Sequence, residues 1–172
     1  NQSASAFDGR TDEFKAVSTT LDANSVDLSK AIGEIYGADA EKNFLAAWRK
    51  HIGLLIDYNA AVLIKDKAKQ DKATNDLNDY AAAFGALLNS ANPKLPKDAV
   101  TDLVKTHITM AKDVIDAQNA KDWVKIYANT RKAFAHMDSI AIPLANATVA
   151  QFPTKYDGKA DASGANLRTS LT

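Results

Sequence analysis

The chain has 172 residues, with 21 Lys and Arg balanced by 21 Asp and Glu, three histidines and no cysteine. That length suits one domain, and the balanced charge with no long basic run excludes the footprint of a nucleic-acid binder. The missing cysteines exclude disulfides, thiolate zinc sites, iron–sulfur clusters and cysteine nucleophiles, so any metal must rest on nitrogen, oxygen or thioether ligands.

No apolar stretch approaches the ~20 residues that cross a bilayer. Asn1-Gln2-Ser3-Ala4-Ser5-Ala6 reads as the polar stub left by signal-peptide removal or by trimming of a longer chain. Export is the expectation, with residues 1–10 as a flexible start. A first helical region is predicted from Thr11 to Tyr36, broken near Asn24-Ser25, with Ser25 capping its second piece and Gly37 ending it.

The next helix is predicted from Asp39 to Lys65, where Phe44, Trp48, His51, Leu55, Tyr58 and Val62 form a three-four stripe. Another runs from Lys69 to Ala91 on a core line of Ala73, Leu77, Tyr80, Phe84, Leu87 and Ala91. Asn92-Pro93-Lys94-Leu95-Pro96 must be a loop, because each proline lacks a donor and restricts the residue before it. A helix from Lys97 to Gln118 follows, with Val100, Leu103, His107, Met110 and Val114 at heptad-like spacing.

The last helix starts near Asp122, which can cap it. Its core line is Trp123, Ile126/Tyr127, Thr130, Ala133/Phe134, Met137, Ile140/Ala141 and Leu144, and Pro143 is expected to kink or end it. Short connections favour antiparallel neighbours. The expected fold is therefore all-α, an up-down four-helix bundle with an additional N-terminal helical segment. Residues 11–153 form its single domain and 154–172 a flexible tail or linker.

His51, His107 and His136 fall on three different helices. Counted from the bundle end they share, they lie about 16, 13 and 16 residues away, within roughly 5 Å in height at ~1.5 Å per residue. The remaining helix offers Tyr80 or Phe84 at that layer. Three imidazoles with an open position suit zinc or copper, and Met110 or Met137 would add a thioether suited to copper. These five residues form the candidate metal site.

The alternative is that the histidines only bond neighbours in the core while the methionines pack. Non-covalent haem is a lesser alternative. A di-iron carboxylate site is excluded, since the only glutamates are Glu13, Glu34 and Glu41 and none forms a Glu-x-x-His pair. No phosphate loop, nucleophile elbow or paired catalytic carboxylates appear, so an enzyme is not the expectation.

Several strings resemble a known group. They are Ser25-Val26-Asp27-Leu28-Ser29-Lys30-Ala31-Ile32-Gly33 with Tyr36-Gly37, Trp48-x-x-His51-Ile52 with Asp57-Tyr58, Asn92-Pro93-x-Leu95-Pro96, and Ala135-His136-Met137. Together, over roughly residues 25–153, they resemble exported helical proteins of Gram-positive bacteria that carry a copper amine oxidase-like label. An amine oxidase needs a β-rich catalytic domain and a modified tyrosine, so the resemblance implies an extracytoplasmic helical module and no oxidase activity. If the chain is instead a cell-surface interaction module, an exposed patch is expected around Phe14, Val17 and Leu21, to meet a protein partner.

Overall fold

A computed structural model describes residues 2–156; residues 157–172, most of the expected tail, lie outside the described residues. The structure is all-α, and no strand occurs among the described residues. Its helices are α1 (Gln2–Phe7), α2 (Thr11–Tyr36), α3 (Ala38–Leu63), α4 (Lys67–Ala91), α5 (Lys97–Asn119) and α6 (Trp123–Gln151). Among the described residues no helix is long and apolar enough to cross a membrane.

The start of the chain is helical rather than irregular, and α1 packs on α2, α3 and α5. The break expected at Asn24-Ser25 is also absent. Ser25 is fully buried and its hydroxyl donates to the Leu21 carbonyl one turn back at 2.7 Å, so the residue joins the helix instead of capping a new one. Gly37, at φ 92°, does end α2, in the left-handed region that other residues rarely adopt. The α4 and α6 starts are capped by Asp66 and Asp122, whose carboxylates accept from the amides of Lys69 and Lys125.

α6 runs through Pro143 to Gln151. The carbonyl of Ser139 loses its helical partner there, and both Ser139 and Pro143 are exposed, where an unpaired carbonyl costs least.

Each long helix packs on the next in sequence, and α3 also touches α5. The main core joins Phe44, Leu77, Tyr80, Phe84, Val104 and Ile108, so the predicted α4 line is the buried one. Near Gly37, α2 meets α6. Tyr36 lies edge-on to Phe152 at 5.6 Å, and its hydroxyl lies 3.0 Å from Thr148 Oγ1. The buried Asn92 donates to the same hydroxyl, tying in the α4–α5 loop.

The α6 core line is corrected in part by the structure: Ile126, Ala133, Ile140 and Leu144 are half-buried, and Leu144 packs on the main core, but its large aromatic members are not covered. Trp123, Tyr127 and Phe134 are 63%, 74% and 80% exposed. A seam needs a facing helix, and α2 reaches α6 only near Gly37. At the other end α1 lies against α2, α3 and α5, which leaves the space beside α6 open.

Two glycines test the packing. A Cβ on Gly85 would sit 2.8 Å from the Lys97 carbonyl and 3.2 Å from the Thr101 amide, so α4 and α5 approach closely there. Gly→Ala gains about 1 kcal/mol of helix propensity, while overpacking costs about 1–3 kcal/mol. Gly85→Ala is therefore expected to lower Tm, whereas Gly53→Ala, with open space at its Cβ, should raise it by a few degrees. Thermal unfolding of both variants checks the pair.

Candidate functional site

The opening between α2 and α6 is a cleft of about 450 Å3. α3 and α5 form its floor. Phe14, Leu21 and Asn24 of α2 stand on one side, Thr130, Phe134 and Met137 of α6 on the other, and Gln2 and Ser3 of α1 join the lining. Phe14 and Leu21, expected as part of an exposed patch, are instead half-buried walls of this cleft.

The α3 stripe carries His51 to the floor, 5% exposed and stacked on Tyr80 of α4 with ring centres 5.0 Å apart. Trp48 lies 5.7 Å from it, and Phe84 extends the aromatic wall behind Tyr80. His107 of α5 lies 6.0 Å from His51, and His136 of α6 stacks on His107 at 6.4 Å. The three rings thus stand in a row. Among the described residues no group of three or more His, Asp or Glu side chains is arranged to hold a metal ion.

The members of the row differ chemically. Nδ1 of His51 and Nδ1 of His107 are buried with no hydrogen-bond partner. Burial, helped by the neighbouring His107, lowers the pKa of His51 to about 4. Burial, helped by His136, also lowers that of His107. His51 is therefore a neutral imidazole at pH 7, the form that ligates metals. His136 Nε2 lies 3.1 Å from the Leu103 carbonyl. A carbonyl only accepts, so Nε2 carries a proton.

The five candidate ligands are thus divided. His51, His107 and Met137 line the cleft, whereas His136 stands behind His107 and is not part of the lining. Met110 lies in a separate groove with Asp113, Asn129 and Lys132. Asp57 and Asp138, six and two residues after a histidine, are both exposed.

Two polar residues of the cleft escaped the sequence reading. Asn59 Oδ1 and Gln118 Oε1 are also buried without a partner. Their signal was present: Asn59 continues the His51, Leu55 spacing, and Gln118 continues the His107, Ala111, Val114 spacing. Four of the six partnerless buried side-chain atoms in the described residues thus belong to residues of this one cleft.

A polar group taken out of water without a partner costs about 1–3 kcal/mol. Their gathering in one opening makes the cleft the candidate site. Comparison with family models, with curated proteins and with solved structures finds no match for the chain.

Proposed function

We propose that this is a non-catalytic, extracytoplasmic metal-binding protein, in which His51 and His107 take one soft ion, copper(I) before zinc, on their Nδ1 atoms. The observation that carries the reading is the pair of buried, partnerless imidazole nitrogens in adjacent rings. Nitrogen–metal bonds of ~2.0–2.1 Å with the ion in line separate two ring centres by roughly 6.3–6.4 Å, close to the 6.0 Å found.

A d10 ion accepts two or three ligands, and a thioether favours copper(I), so Met137 on the cleft wall is the candidate third donor. Zinc asks for four positions and would need His136 to leave Leu103. In this reading α3–α6 are an up-down bundle with α2 as the added segment. The resemblance to exported helical proteins supports the compartment.

A ligand that binds only the native state adds RT ln(1 + [L]/Kd), about 2.7 kcal/mol at 100 Kd. One equivalent of copper(I), added anaerobically at pH 7, is expected to raise Tm by several degrees, and His51→Leu should abolish the shift. Because His51 stays neutral down to about pH 4, the shift should survive at pH 5.5. A shift of equal size in His51→Leu, or none in the parent protein, would count against the site.

A second reading, as a surface interaction module, is favoured by the exposed Trp123, Tyr127 and Phe134 stripe on α6. It predicts an association, seen by light scattering, that Tyr127→Ser with Phe134→Ser removes. Monomeric behaviour with no captured partner would leave the metal reading alone.

A further inference from the structure

We propose that the cleft, toward its α1 end, also binds an uncharged amphiphile: an unbranched apolar body with a head of hydrogen-bond donors, of the primary-amide kind. This goes beyond the metal reading and does not rest on it.

The head site is made by Asn59 Oδ1 and Gln118 Oε1. Both are acceptors, both are buried without a partner, and they stand on α3 and α5, helices in mutual contact. Asn59 is only 6% exposed, so its oxygen cannot turn to bulk water. Two partnerless acceptors in one cleft call for two donors, which one –CONH2 group supplies and a carboxylate does not.

Charge argues the same way. No Lys, Arg, Asp or Glu is among the described residues that line the cleft. A charged head would be buried without a counter-ion, which is far more costly than burying a neutral polar group that finds partners.

The body follows from the walls. Asn59 stands eight residues from His51 on the same helix, ~12 Å along the axis. Ile52, Leu55, Ile56, Val114, Phe14 and Leu21 line the cleft along with them. These walls offer a chain of water molecules no hydrogen bonds, whereas a straight ten-carbon chain matches both their length and their chemistry. A volume of about 450 Å3 falls among ordinary small-molecule sites.

Displacement of the fluorescent, uncharged probe N-phenyl-1-naphthylamine from metal-free protein at pH 7 tests this. Decanamide and decanoate share length and head shape and differ in donors and charge. Decanamide is expected to displace the probe at a concentration at least roughly tenfold lower than decanoate.

Asn59→Leu, or Gln118→Leu should that variant fail to fold, should erase the preference. His51→Leu should retain it while losing the metal, which separates failure of this site from failure of the metal site. The proposal is overturned if the probe does not bind, if the two compounds compete equally, or if the preference survives loss of both amides.

Discussion

Acidifying the metal-free protein from pH 7 to pH 4 is expected to remove roughly 3 kcal/mol of stability through His51 alone. The ring's pKa falls from 6.5 in the unfolded chain to about 4 in the fold, because burial penalises its charged form. Between those values the unfolded chain binds a proton that the native state refuses. Stability is therefore fully present above pH 6.5 and is lost as pH falls through about 4.

His107, lowered for the same reason, adds in the same direction. Urea unfolding at pH 7, 5.5 and 4 measures the loss, and His51→Leu separates it from the protonation of carboxylates, since that variant should show a loss smaller by about that amount. Equal acid sensitivity in both proteins would mean that His51 titrates as an ordinary histidine and is not enclosed as described.

Leu77→Ala is expected to destabilise by about 2–5 kcal/mol, read from the midpoint of denaturant unfolding. Leu77 is fully buried on α4, in the cluster that includes Phe44, Tyr80, Val104 and Ile108. Removing it takes away transfer energy and leaves a hole that the surrounding rings cannot fill. Phe134→Ala deletes a larger side chain, yet should change stability by less than about 0.5 kcal/mol, because Phe134 is 80% exposed. A cost for Phe134→Ala comparable to that of Leu77→Ala would place α6 against a neighbour and contradict the open cleft.

That contrast also marks where the sequence was legible. The α4 stripe from Ala73 to Phe84 and the α3 stripe through Phe44, His51 and Tyr58 are both buried as the three-four spacing predicts, since each helix has neighbours to bury it. The α6 stripe has the same spacing, yet its aromatic members Trp123, Tyr127 and Phe134 are exposed. Periodicity states which face a helix could bury, and the helices around it decide whether that face is covered. Ser25 misled in a related way, because a serine at a cap and a serine bonded one turn back look alike in sequence.

Heights counted along helices brought His51, His107 and His136 to one layer, and their rings stand in contact. Counting could not supply rotation about each helix axis. That rotation sends His136 to the Leu103 carbonyl, sets Met110 in another groove, and gathers Asn59 and Gln118 into the cleft. Only Met110 of these stood on a predicted stripe, with His136 beside one and Asn59 and Gln118 on none, and only the packed structure tells which have partners.

Competition for copper(I) against a chromogenic chelator at pH 7, under anaerobic conditions, tests the metal site most directly. The protein is expected to take one copper(I) per chain. His51→Leu and His107→Leu should each lose it, while His136→Leu, which changes a ring outside the cleft, should keep it. Failure of the parent protein to take copper from the chelator, or undiminished uptake when both cleft histidines are replaced, would contradict the site.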